Sequence, residues 1–303
     1  MDVTVTGATG MIGRKLVQAL LQRGDRVTVL SRDPERARST LEGAQAMRWA
    51  DPKTDTPPRE AFEGRDAVVH LLGEPVAQRW TERAKQEIRD SRVLSTRNLV
   101  AALGDMARPP EVLVSQSATG WYGARGDEPL DESAPSADDF LAGVVAEWEA
   151  EAHRAEELGI RVVLTRTGVV LSESGGALEK MLPPFKLGIG GPVAGGRQYV
   201  PWVHADDVTG ALLFCLDNPE AKGPVNVTAP EPVTNRELSR ALGRALGRPA
   251  LAPVPALAVK ALYGEMATIV TTGARAVPRR LTELGYKFRQ PDLDAALRSV
   301  TGR

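Results

Sequence analysis

The run Gly7-Ala8-Thr9-Gly10-Met11-Ile12-Gly13 has the residue types and spacing of a phosphate cradle. Gly7 permits a tight turn, Gly10 lets the backbone approach a pyrophosphate, and Gly13 lets a helix pack closely on a strand. With Thr9, Met11 and Ile12 in the turn, the helix start offers unbonded N–H groups and a positive dipole end to phosphate oxygens. A second group, Ser31-Arg32 with Arg36 one helical turn on, stands where a dinucleotide site meets the adenine ribose. A guanidinium there suits a 2′-phosphate that an acidic residue would repel, so Arg32 favours NADP(H) over NAD(H), with Asp33 the competing carboxylate nearby. The third group is Ser115-Gln116-Ser117-Ala118-Thr119-Gly120-Trp121-Tyr122-Gly123, which gathers hydroxyls and a phenol after an apolar strand.

These groups need elements to hold them. Val3-Thr4-Val5 reads as a strand, Lys15 to Leu21 as a helix, and Val27-Thr28-Val29-Leu30 as a second strand after a Gly24-Asp25 turn. That strand, turn, helix, strand order is the setting a phosphate fingerprint requires. Asp66 to Leu72 is an apolar strand that breaks at Gly73-Glu74, and Thr81 to Leu103 reads as an amphipathic helix. Val112-Leu113-Val114, Arg161 to Leu164 and Pro224 to Val227 supply further strands. The alternation predicts an α/β Rossmann fold, a doubly wound parallel sheet, with a smaller, mostly helical C-terminal lobe. His70, inside an apolar strand, is expected to be buried and without a catalytic role.

Composition narrows the classes. The 303 residues carry a net charge of −1, which removes an electrostatic case for nucleic acid or an anionic membrane. No run approaches the roughly 20 apolar residues of a membrane span, and the N-terminus lacks the pattern of a signal peptide. Cys215 is the single cysteine and the three histidines are scattered, so neither a disulfide nor a structural zinc cluster is expected, and a cytoplasmic setting is.

The glycine spacing GxxGxxG, in the form GATGMIG, resembles the extended branch of the short-chain dehydrogenase/reductase superfamily. SQSATGWYG resembles the segment in which those enzymes place a serine on the reacting oxygen, and Ser117 matches that serine. In the superfamily a Tyr and a Lys four residues apart follow about 25 residues later, the phenol acting as general acid or base. Here the residues four beyond Tyr122, Tyr199, Tyr263 and Tyr286 are Gly126, Val203, Ala267 and Gln290, so the pair is absent. SATGWYG, the Glu147-Trp148-Glu149 helix, TRTGVVL, PWVHADD and GEMA together resemble the atypical "epimerase family" of NAD(P)-dependent oxidoreductases, which carries a characteristic short C-terminal domain. That resemblance implies cofactor contacts from Gly7 to Gly13, Ser31, Arg32, Gly73 and Glu74, with Arg79 facing a phosphate.

The expected division is a Rossmann domain over residues 1–229, with 172–202 contributing to the substrate cleft, and a small domain over 230–303. Asp206 is expected to cap a helix, Thr234 and Glu237 to form a capping box, and Trp202 and His204 to be pocket wall or core. Two functions fit. One is an NADP(H)-dependent oxidoreductase or epimerase-like protein acting on a small carbonyl or hydroxyl substrate, Ser117 orienting the oxygen and Tyr122 or a water moving the proton. The other is a non-catalytic NADP(H)-binding sensor. A homodimer is compatible with either.

Overall fold

The computed structural model describes residues 1–302. The chain opens with β1 (Asp2–Thr6), α1 (Met11–Arg23), β2 (Arg26–Ser31), α2 (Pro34–Thr40), β3 (Gln45–Arg48) and β4 (Ala67–His70). It continues through α3 (Glu82–Gly104), β5 (Val112–Ala118), β6 (Pro129–Leu130), α4 (Phe140–His153), β7 (Arg161–Thr167) and β8 (Val169–Leu171). Next come α5 (Gly176–Lys186), β9 (Tyr199–Val200), β10 (Trp202–His204), α6 (Ala205–Asp217), β11 (Gly223–Val227) and β12 (Val233–Thr234). The chain ends with α7 (Asn235–Leu246), α8 (Ala256–Tyr263), α9 (Thr268–Thr271), β13 (Arg275–Ala276), α10 (Arg279–Glu283) and α11 (Leu293–Thr301).

Seven strands form one parallel sheet in the order β11-β7-β5-β4-β1-β2-β3. The order reverses between β1 and β4, so a crevice opens beyond their C-terminal ends, where open α/β sheets bind ligands. β-Branched and apolar residues on both faces make the sheet a buried layer. On one face Val3, Val5, Val112 and Val114 pack with Leu16, Val17 and Leu20 of α1 and Val208 and Leu212 of α6. On the other, Val68, Leu113, Val162 and Leu164 pack with Leu99 and Leu103 of α3. α1 stops at Gly24, whose φ of 89° lets its N–H turn back to the carbonyls of Leu20 and Leu21.

A third cluster joins Leu178 and Phe185 of α5 to Leu238 and Leu242 of α7 and Leu297 of α11. α7 starts with the expected capping box, Thr234 accepting from the Glu237 N–H and the Glu237 carboxylate accepting from the Thr234 N–H. The later residues fold back on the larger part of the chain. β13 pairs with β6, and the buried Asp207 carboxylate accepts from the Tyr286 hydroxyl at 3.1 Å and from the N–H groups of Arg289 and Gln290 at 2.7 and 2.9 Å. One local expectation is corrected here. α6 is capped by His204, whose Nδ1 accepts from the Asp206 N–H at 3.1 Å, while Asp206 lies in the first turn and pairs with Lys15. A ring nitrogen on the residue before the helix thus serves one of its orphan donors, and the capping role falls to His204 instead of Asp206.

Candidate active site

Close backbone approach shapes the turn after β1. Gly7 has a φ of +66°, and a Cβ on it would lie 2.6 Å from the Leu71 carbonyl oxygen. A Cβ on Gly13 would lie 2.3 Å from the Gly7 carbonyl oxygen, so α1 and the turn can pack this closely only without a side chain there. α1 begins at a Gly10 N-cap with no side-chain hydrogen bond, which leaves its first-turn N–H groups open to an outside acceptor. Gly175 and Gly176, at the start of α5, come down on this helix start, the Cβ position of Gly176 lying 3.4 Å from the Met11 sulfur. The segment expected to contribute to the substrate cleft is therefore next to the glycine turn.

The turn opens into a cleft of about 360 Å³ lined by Gly7, Thr9, Ser31, Arg32, Leu72, Gly73 and Glu74. Arg32 is exposed and makes no ion pair among the described residues. The neighbouring carboxylate of Asp33, which could have repelled a phosphate, accepts from the Arg36 N–H at 3.1 Å as the cap of α2. An uncapped helix start, glycines where a Cβ would clash, and a free guanidinium at the far end fit a dinucleotide that carries a 2′-phosphate.

The cleft also has walls that the motifs did not indicate. Trp49, Asp51, Lys53, Glu87 and Ser91 line it. Trp49 arrives because its N–H bonds the Ser31 carbonyl at 3.0 Å, extending the β2–β3 pairing to the cleft floor. Lys53 pairs with Glu87 at 2.9 Å across the opening. The strand Gln45–Arg48 is the missing signal, being short and only half apolar. Arg79, by contrast, does not line this cleft. It is exposed near Gly264, a Cβ on which would lie 3.9 Å from its Nε, and Glu74 instead accepts from Gln78 at 3.2 Å.

The two candidate proton-handling residues lie in a buried network. Ser117, 1% exposed, donates its hydroxyl to the Glu149 carboxylate at 2.5 Å. Arg166 closes on the same carboxylate through two hydrogen bonds of 2.8 Å, with both side chains only 3–4% exposed. The Arg166 guanidinium also stacks 3.9 Å from the Trp121 ring centre. Tyr122 is fully buried, donating to Asn226 Oδ1 at 2.7 Å and to the Asp131 carbonyl at 3.1 Å. Burial pushes its phenol up from the ordinary tyrosine range, against the lowering effect of Arg166 beside it.

This geometry has a sequence signature that motif reading passed over: a glutamate on the apolar face of α4 and an arginine inside an apolar strand. Ala118, next along β5 and so directed to the other face, presents only a methyl. α4 sets Leu141 and Val145, four residues apart, within 3.6 and 3.8 Å of the Cβ position of Gly120. The helix face at the end of β5 is thus apolar where a phenol and an ammonium were sought.

The other histidine and aromatic candidates are also interior. His70 is 0% exposed, with Nδ1 at 2.7 Å from Thr6 Oγ1 and Nε2 at 3.3 Å from Ser95 Oγ. Trp202 and His204 are 1% and 4% exposed, as core rather than pocket wall. Among the described residues no cluster of His, Cys, Asp and Glu is placed to hold a metal ion, and no helix is long and apolar enough to cross a membrane.

Comparison with known proteins places this geometry in a lineage. The description "NAD dependent epimerase/dehydratase family" matches residues 3–228. The chain belongs to that family. A domain of unknown function, DUF1731, matches residues 254–300. The epimerase family protein SDR39U1 of Bos taurus is 39% identical, over 99% of both chains. The chloroplastic SDR39U1 homolog of Arabidopsis thaliana is also 39% identical, over 99% of this chain and 86% of its own. Human SDR39U1, whose crystal structure was solved with NADPH, superposes with a TM-score of 0.89 at 35% identity over 100% of both chains. A nucleoside-diphosphate sugar epimerase from Corynebacterium glutamicum superposes with a TM-score of 0.77 at 33% identity, over 98% of this chain and 57% of its own.

Proposed function

We propose that this epimerase-family protein binds NADP(H) in the cleft between Gly7 and Arg32 and acts as an oxidoreductase on a small carbonyl or hydroxyl substrate. The observation that carries the reading is Arg32. It is an exposed guanidinium on the cleft wall, unpaired among the described residues, with the adjacent Asp33 carboxylate turned to cap α2. The NADPH complex of human SDR39U1 supports it.

Gly10 to Gly13 would receive the pyrophosphate at the α1 start, and Arg32 the 2′-phosphate. The nicotinamide supplies hydride chemistry when bound. Ser117 and Tyr122 then act as braces, since the hydroxyl of one is bonded to Glu149 and the phenol of the other to Asn226. The proton comes from water or from the substrate itself. The apolar Leu141 and Val145 supply no acid at the end of β5. A reducing, aqueous compartment such as the cytoplasm suits a chain whose one cysteine, Cys215, is buried and unpaired.

The same network favours a second reading, a sensor that binds NADP(H) without turning it over. Nucleotide fluorescence titration separates these possibilities. NADPH is expected to bind at least about tenfold more tightly than NADH, and Arg32→Ala to remove most of that preference. Equal binding of the two nucleotides would refute the role of Arg32. Tight NADPH binding without oxidation by any member of an aldehyde, ketone and α-keto acid panel would decide for the sensor.

A further inference from the structure

A second arginine sits near the cleft without a counter-ion. Arg92, on α3, lies against Gly73 and over the ring of Trp148 on α4, its guanidinium carbon 5.4 Å from the ring centre. Among the described residues its one hydrogen-bond acceptor is the Ile88 carbonyl, which takes Nη1 at 2.9 Å. No carboxylate reaches it. Burial pushes the guanidinium down to about 10, opposed by the more distant Glu74, so it stays charged at neutral pH. A half-buried cation with donors left over is partly desolvated, and a bound anion relieves that cost.

Two independent features point to a ligand here. Trp148, 2% exposed, has an indole N–H that is buried and has no acceptor. The unpartnered indole N–H belongs to the same ring that the Arg92 guanidinium overlies, and a bound oxyanion could serve both donors. Gly73 is the other feature. Its φ is not positive, so the backbone does not require glycine there, yet a Cβ would lie 2.9 Å from the Arg92 guanidinium carbon. The glycine makes room for the guanidinium at the inner edge of the cleft, which Gly73, Glu74 and Ser91 line.

We propose that Arg92 and the Trp148 indole form an oxyanion subsite that holds the carboxylate or phosphate group of the substrate. The cofactor's own phosphates are accommodated elsewhere under the reading above, on which this subsite rests. The start of α1 and Arg32 would take them, and α1 packs on the opposite face of the sheet from α3. Guanidinium and indole donors together select an anionic substrate over a neutral one, by charge-assisted hydrogen bonds in a partly desolvated place.

The test is calorimetric titration of the full chain with sodium oxalate and with inorganic phosphate as probes, with and without saturating NADPH. Saturable binding of at least one probe is expected. Arg92→Gln should weaken it about tenfold or more, and Trp148→Phe, which keeps the ring but removes the donor, about two- to fivefold. NADPH affinity, measured on the same samples, should change less than about threefold in either variant. No saturable binding of either probe to the wild type, or unchanged binding in Arg92→Gln, would overturn the proposal. So would a tenfold loss of NADPH affinity in Arg92→Gln, which would assign the guanidinium to a cofactor phosphate. Running the probes with and without nucleotide keeps failure of this subsite distinct from failure of the cofactor reading.

Discussion

His70 makes the stability of this fold respond to mild acid. The imidazole is fully buried between two hydroxyls, Thr6 at 2.7 Å and Ser95 at 3.3 Å, and burial holds its pKa down to about 3. An unfolded histidine titrates near 6.5. Between those values the unfolded chain binds a proton that the native chain refuses, so stability rises with pH across this window and falls on acidification. Lowering the pH from 7 to 5 should therefore cost about 2 kcal/mol from this residue alone. His204, also pushed down by burial, adds in the same direction. The carboxylates held low by their partners, such as Asp25 and Glu151, lose their contributions only on further acidification. The assay is urea unfolding of the wild type and of His70→Gln at pH 7, 6 and 5. The variant is expected to be less stable at pH 7 but to lose about 2 kcal/mol less than the wild type on going to pH 5. Parallel loss in the two proteins would refute the reasoning, because the buried neutral imidazole would then contribute nothing to the pH dependence.

The buried Glu149–Arg166 pair predicts strong coupling. Glu149→Gln or Arg166→Met alone should lower stability by about 3–5 kcal/mol, because each strands a buried partner, while Glu149→Leu with Arg166→Met should cost much less than the sum; denaturation midpoints of the set check this. Gly13→Ala places a methyl where the Gly7 carbonyl oxygen lies 2.3 Å away, so the start of α1 must shift. Fluorescence titration should show NADPH affinity reduced by at least about tenfold, even where thermal melting shows the variant folded.

Much of the fold was legible because its signals are local and repeated. Apolar runs bounded by glycine or turn residues located β1, β2, β4, β5, β7 and β11, and the glycine turn tied the first of these to a phosphate. The lines that failed to show were those set by tertiary contact. β3 is short, and its placement beside β2, not its own pattern, brings Trp49 and Lys53 to the cleft. Ser117 follows the expected motif, and alternation along β5 directs its hydroxyl to the Glu149 carboxylate on α4, a partner the motif does not announce. Tyr122, chosen for its nearness in sequence, belongs instead to the packing between Asn226 and Arg166. Arg92 and Trp148 lie 56 residues apart on two helices, and neither is unusual until the fold sets one over the other.

A phenol and an ammonium on α4 would have to stand at the end of β5 beside Gly120, where Leu141 and Val145 flank its Cβ position. Restoring them as Leu141→Tyr and Val145→Lys would place an ammonium in a buried position, since Val145 is only 3% exposed. That ammonium would lose its proton unless the phenolate or a bound ribose hydroxyl partnered it. By contrast the Ser117–Glu149–Arg166 network is satisfied internally with no ligand at all. Arg92, half-buried beside the cleft, makes no ion pair among the described residues. Chemistry at this site is therefore expected to be governed by how an anionic substrate is positioned, with the proton left to solvent.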